Sequence, residues 1–144
     1  LGASEVYRER LGENAALEIR MLGRTYDERA MVYDEMRRLI GLRSALFFST
    51  DFNAVEAIGY LQRRQISIPE DISVAGFDDD IYARLCNPRL TSMSVDVSRK
   101  AELAVNMLMR LIDGEEVRES EPKIDAVIAE RESVMKVEEM GCSG

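Results

Sequence analysis

Ile68-Pro69-Glu70-Asp71-Ile72-Ser73-Val74-Ala75-Gly76-Phe77-Asp78-Asp79-Asp80 decides how the rest of the chain is read. The proline marks a turn, Ile72 to Phe77 has the apolar character of a buried strand, and that strand stops abruptly in three carboxylates. In open α/β sheets ligands bind just beyond the carboxyl ends of the strands, which makes Asp78 the first candidate for a ligand contact. Upstream, Ala45-Leu46-Phe47-Phe48-Ser49 is a second short buried strand. Thr50-Asp51 closes it and opens a helix with Ala54, Val55, Ile58 and Leu61 on its inner face. Strand, helix and strand joined by short turns make a right-handed βαβ unit with a parallel sheet. The strand ends Thr50-Asp51 and Asp78-Asp79 are therefore expected on one edge.

Around this unit the hydrophobic spacing predicts three further helices. One runs from Ser4 to Leu22, with Leu11, Ala15, Ile19 and Leu22 as its stripe; a second runs from about Asp27, a candidate N-cap, to Ile40, with Val32, Met36 and Leu39 inward. The third, from about Val97 to Asp113, carries Ala101, Ala104, Val105, Leu108, Leu111 and Ile112 on one face and ends at Gly114. Between Asp80 and Thr91 the helical rhythm breaks around Asn87-Pro88-Arg89, and Leu90 to Val95 reads as a short extended segment. The acidic run Glu115 to Glu121 reads as a solvated loop, Ile124 to Ile128 as extended, and Met140 to Gly144 as a fraying end.

Composition narrows the function. The 144 residues are 46% hydrophobic, enough for an ordinary core, and 27 acidic against 19 basic groups give a net charge of −8. Such a charge repels a phosphate backbone in the absence of a basic patch, and the arginines are interleaved with glutamates or placed at helix ends. No apolar run is long enough to span a bilayer, and no signal peptide stands at the start. The opening Leu1-Gly2-Ala3-Ser4 reads as a strand end and a turn, so an upstream portion is expected. Histidine is absent, which excludes histidine-based triads, histidine metal sites and histidine acid-base chemistry within the chain, and the two cysteines, Cys86 and Cys142, lack zinc-like spacing. No nucleophile is paired with a base and no glycine-rich phosphate loop follows a strand, so an enzyme is not expected.

Four pieces in order, Phe48-Ser49-Thr50-Asp51-Phe52-Asn53-Ala54, Ile68 to Asp79, Pro88-Arg89-Leu90-Thr91-Ser92 and Arg131-Glu132-Ser133, resemble the effector-binding domain of LacI/GalR-type bacterial transcription repressors. The resemblance implies an α/β, periplasmic-binding-protein-like fold: two lobes joined by crossovers, with a small polar effector, a sugar or a relative of one, held between them so that cleft closure tunes DNA affinity. On that pattern residues 1–91 form most of the C-terminal lobe, 92–117 belong to the N-terminal lobe, and 118–144 return to the C-terminal lobe. The DNA-binding headpiece lies outside this chain.

Residue by residue, the resemblance places Asp78, Thr50, Asp51 and Arg10 at the effector. A carboxylate accepts from two hydroxyls and a guanidinium donates in a fixed fork. Thr50 stands where the family often has asparagine, Glu56 where it usually has glycine and Val95 where some members place a glutamine. Gly12 comes one residue early for the family's arginine-glycine step, which loosens the match at Arg10. The resemblance further implies a cytoplasmic homodimer contacting through Val55, Gly59, Tyr82, Leu85 and Cys86, with no cofactor, no metal and no membrane partner, and operator DNA bound through the headpiece. The alternative is a periplasmic or membrane-tethered sugar receptor of the same fold. A further reading of Asp78-Asp79-Asp80 is a magnesium-binding or phosphorylatable acid cluster, and Thr50-Asp51 also suits the N-cap of its helix.

Overall fold

The structure, a computed structural model, describes residues 19–37, 40, 45–115 and 124–136. The chain divides into two compact units, residues 1–35 and 36–144. In the first, most of the helix expected over Ser4 to Leu22 lies outside the described residues, and residues 19–22 are not helical. Helix α1 spans Tyr26–Met36. Its cap is Thr25 rather than the expected Asp27: Thr25 Oγ1 accepts from Glu28 N at 3.3 Å, while Glu28 Oε2 accepts from Thr25 N at 3.1 Å and Arg24 N at 2.8 Å. This reciprocal box satisfies donors that a helix start otherwise leaves open. Those backbone bonds also hold the Glu28 carboxyl below its ordinary value.

The second unit is built on a four-stranded sheet in the order β1 (Ala45–Phe47), β2 (Ser73–Phe77), β3 (Thr91–Val95), β4 (Ala126–Ala129). The first three strands are parallel and β4 pairs antiparallel to β3. Helix α2 (Asp51–Gln62) connects β1 to β2 and packs on β2, which is the expected βαβ unit. Its buried face is Ala54, Ala57, Ile58, Tyr60 and Leu61, while Val55 is half-buried. Together with Leu46, Phe48, Ile66, Ile68, Ile72, Val74 and Leu90 these form the core. Each fully buried aliphatic side chain there contributes about 1.5 to 3 kcal/mol.

Short α3 (Ile81–Leu85) follows β2, and long α4 (Val97–Ile112) lies between β3 and β4, capped by Asp96 Oδ1 accepting from Arg99 N at 2.9 Å. The apolar stripe of α4 is as regular as its sequence, yet none of its residues is buried. Val105, Leu108, Leu111 and Ile112 all stand more than half exposed. Among the described residues no helix is long and apolar enough to cross a membrane.

The segment after β4 closes the sheet. Ser133 is fully buried; its Oγ donates to Val74 O at 2.5 Å and accepts from Thr91 N at 2.8 Å, while its carbonyl accepts from Val74 N at 2.8 Å. Beside it Glu132 takes the Arg89 guanidinium and backbone N–H. The Arg131-Glu132-Ser133 triplet thus joins β2 to the start of β3 across more than forty residues of sequence.

Candidate functional site

Parallel pairing of β1 with β2 brings Thr50-Asp51 and Asp78-Asp79-Asp80 to one edge, as the βαβ reading expects. Thr50 is the N-cap of α2, its Oγ1 accepting from Asn53 N at 3.4 Å. Capping draws the chain inward and places the next side chain, Asp51, against the end of β2.

Asp51 has no exposed surface. Its Oδ1 accepts from Ser92 Oγ at 2.6 Å and its Oδ2 from Asp80 N at 2.8 Å; Ser92 Oγ in turn accepts from Asp79 N at 3.1 Å. Four pieces of chain meet there: the start of α2, the turn after β2, β3, and Gly76 of β2. A Cβ on Gly76 would sit 2.2 Å from Asp51 Oδ1 and 2.8 Å from a Leu90 methyl, so the space of the missing side chain is filled by the carboxylate. Burial pushes the Asp51 carboxyl above its ordinary value, with the negative charges of Asp80 and Asp78 adding to it, against the hydrogen bonds from Ser92 and Asp80.

The three adjacent aspartates take three different roles. Asp80 caps α3, its Oδ1 accepting from Tyr82 N at 2.8 Å and Ala83 N at 3.3 Å. Asp79 is held by two arginines, Arg131 on one oxygen and Arg84 at 2.9 Å on the other, with Asp79 and Arg131 only 9% and 15% exposed in their side chains. Burial alone would raise the Asp79 carboxyl; the bonds and charges of Arg131 and Arg84 outweigh it and hold the group below its ordinary value. Asp78 is the one left outward: its backbone N donates to Met93 O at 2.9 Å, and its exposed carboxylate has no hydrogen-bond or ion-pair partner among the described residues.

Asp78 and Asp79 both have positive φ, 104° and 51°. Side chains with a Cβ visit this region at a cost, aspartate less than most, and such residues persist only where their surroundings over-determine them. Here the surroundings are the Asp51, Ser92 and Arg131 contacts just described.

The three carboxylates take different partners, and among the described residues no group of three acidic, cysteine or histidine side chains is placed to hold a metal. Of the expected effector residues, Thr50, Asp51 and Asp78 share the edge, with Asp51 enclosed behind it and Asp78 in front; Arg10 lies outside the described residues. Of the expected dimer residues, Tyr82 and Leu85 are exposed, Val55, Gly59 and Cys86 half-buried. Phe52 and Tyr82 meet edge to face at 6.1 Å, and both are exposed, as are Ile81 and Leu85 on α3.

Sequence reading missed Ser92 and Arg131 as parts of this site. Both stand in the quoted motifs, but their partners lie 41 and 52 residues away. Side-chain periodicity does not register hydrogen bonds at that distance.

Comparison with known proteins agrees with this architecture. The family of periplasmic binding protein-like domains matches residues 4–134. The transcriptional regulator RegA of Clostridium saccharobutylicum is 27% identical over 106 residues, covering 72% of this chain and 32% of that protein. A LacI-type transcription regulator from Bifidobacterium animalis is 31% identical with a TM-score of 0.64, over 78% of this chain and 40% of that one. A periplasmic binding protein/LacI transcriptional regulator from Alkaliphilus metalliredigens is 26% identical with a TM-score of 0.57, over 64% and 35%. The chain spans about a third of the length of the curated relatives it matches. By sequence match and by fold, the chain belongs to the periplasmic binding protein-like domain family, in the form carried by LacI-type transcriptional regulators.

Proposed function

We propose that this chain is the ligand-sensing portion of a cytoplasmic LacI-type regulator and that Asp78 binds a small polar effector, of which sugars are the first class to test. The observation that carries this is the contrast within one turn: Asp79, Asp80 and Asp51 are all engaged by protein donors, while the Asp78 carboxylate is presented unpartnered at the carboxyl edge of a parallel sheet. An exposed carboxylate on a strained, braced turn suits two vicinal hydroxyls, each donating to one oxygen. The similar regulator from Alkaliphilus metalliredigens was solved with D-xylulofuranose, and a LacI family regulator from Lactobacillus casei, 25% identical, with sucrose. The curated relatives are regulators by name, which favours a sensor of this kind over a periplasmic receptor.

On this reading residues 1–91 and 118–144 belong to one lobe and, of the stretch 92–117, the part beyond β3 to the other, since β3 pairs with β2 and β4 in the sheet, with Thr50 and Arg10 beside the effector. Asp51 acts from behind the turn. The patch around Phe52, Tyr82 and Leu85, with Val55, Gly59 and Cys86, forms a homodimer contact; operator DNA binds through a separate headpiece; no bond is made or broken in the effector. An effector shifts the regulator only by binding one lobe arrangement better than the other. The test is a thermal-shift screen of the full-length protein against pentoses, hexoses, disaccharides and nucleosides. A ligand at about 100 times its Kd adds roughly 2.7 kcal/mol, and a roughly five- to 150-fold weakening in Asp78→Asn should cut that to about 0.3 to 1.8 kcal/mol. A hit whose shift is undiminished in Asp78→Asn removes the assignment.

A further inference from the structure

The turn that carries Asp78 is gripped from two strands that are far apart in sequence. On β3, Ser92 Oγ accepts from Asp79 N and donates to Asp51. Just past β4, Arg131 spans the same ground with three donors: its backbone N donates to Thr91 Oγ1 at 2.9 Å, Nη1 to Leu90 O at 2.6 Å, and Nη2 to Asp79. Leu90 leads into β3 and Thr91 begins it, so Arg131 joins the turn, the outgoing strand and the returning strand. β3 and β4 are the strands that lead to and from α4.

We propose that Arg131 is a positioning residue: by holding Asp79 it keeps the Asp78-Asp79 turn in its left-handed setting, aims the Asp78 carboxylate outward, and ties that turn to the two strands flanking α4. This rests on the reading of Asp78 as the effector contact for its functional meaning, but the mechanical claim stands on the ligand-free protein. Strain at two consecutive positive-φ residues relaxes once a restraint is removed. A planar fork fixes both the distance and the direction of Asp79; a lysine supplies charge without the fork. Arg89 is the internal control, since its pair with Glu132 braces the same end of the chain without touching the turn.

The experiment is amide hydrogen exchange on the full-length protein in the wild type and in Arg131→Met, Arg131→Lys and Arg89→Ala. Asp79 and Asp80 report on the turn; Phe48, whose N donates to Ala75 O, and helix amides of α2 report on global opening. In Arg131→Met the Asp79 and Asp80 amides should exchange at least tenfold faster than any acceleration at Phe48, with Arg131→Lys in between and Arg89→Ala leaving the ratio unchanged. Equal acceleration at the turn and at Phe48, or none at the turn, overturns the proposal. Arg131→Lys keeps the question open to measurement if the methionine variant folds poorly. A second arm titrates D-xylulose, sucrose and D-ribose. Where the wild type binds one, Arg131→Met should weaken it at least tenfold and Arg89→Ala less than twofold; binding unchanged in Arg131→Met overturns the aiming role. Silence of the wild type towards all three counts against the sugar reading alone and leaves the exchange result to decide the clamp.

Discussion

Gly76→Ala is the substitution whose cost follows most directly from the packing around the end of β2. The new methyl would stand 2.2 Å from Asp51 Oδ1 and 2.8 Å from Leu90 Cδ2, both inside any real carbon contact. Asp51 cannot yield cheaply, because it is fully buried and its oxygens hold Ser92 Oγ and Asp80 N. Overpacking alone costs about 1 to 3 kcal/mol, and hydrogen bonds to a charged group contribute about 1.5 to 3 kcal/mol each. Losing one of them brings the expected total to about 2.5 to 6 kcal/mol, a large share of the roughly 5 to 15 kcal/mol that a domain has. With a urea slope of about 1.5 kcal/mol per molar, the midpoint falls by about 1.7 to 4 M. The sharper test is a cycle with Asp51→Ala, which removes the obstacle while itself leaving two buried donors unpaired. In that background Gly76→Ala should cost about 1 kcal/mol, since only the Leu90 contact remains. Equal cost of Gly76→Ala with and without Asp51 would refute the idea that the glycine exists to seat this carboxylate.

Further outcomes follow from the same edge. Asp78→Gly should raise stability by about 1 kcal/mol, because glycine adopts a φ of 104° without a Cβ penalty, while abolishing effector binding; a stability loss would show that the Asp78 side chain has a partner after all. Arg131→Met should cost about 3 kcal/mol at neutral pH, the low end for removing one partner of a buried pair, measured by urea unfolding. Its pH dependence has a definite sign. The folded Asp79 carboxyl lies below its unfolded value near 3.8, so its contribution is full above that value and is lost as pH falls through the folded one. The gap between wild type and Arg131→Met should therefore narrow below pH 3.8. Asp51 has the opposite sign: its raised carboxyl contributes stability that is lost as pH rises from 3.8 through its folded value. Asp51→Asn should flatten that part of the profile in the same measurement.

How much of this was readable beforehand depends on the range of the interaction. The βαβ unit was legible because its signals are local: apolar runs at Leu46 to Phe48 and Val74, a cap at Thr50, and the stripe of Ala54, Ile58 and Leu61. The cap of α1 was misplaced by two residues, since Thr25 and Glu28 form a box that an acidic residue at 27 obscured. Asp78 stood out at the strand end, but neighbouring aspartates with identical side chains take different roles for reasons no spacing shows. Arg131 reaches Asp79 from 52 residues away, and Asp51 meets Ser92 across 41. The stripe of α4 was read correctly as a stripe, but nothing local tells which surface covers it.

The central claim is that Asp78 meets the effector, and isothermal titration of the full-length protein with whichever sugar stabilises it tests this most directly. Asp78→Asn should weaken binding by about 1 to 3 kcal/mol, roughly five- to 150-fold, with the unfolding midpoint of the free protein unchanged. Undiminished affinity in a variant that folds normally would contradict the account and move the binding site away from this edge of the sheet.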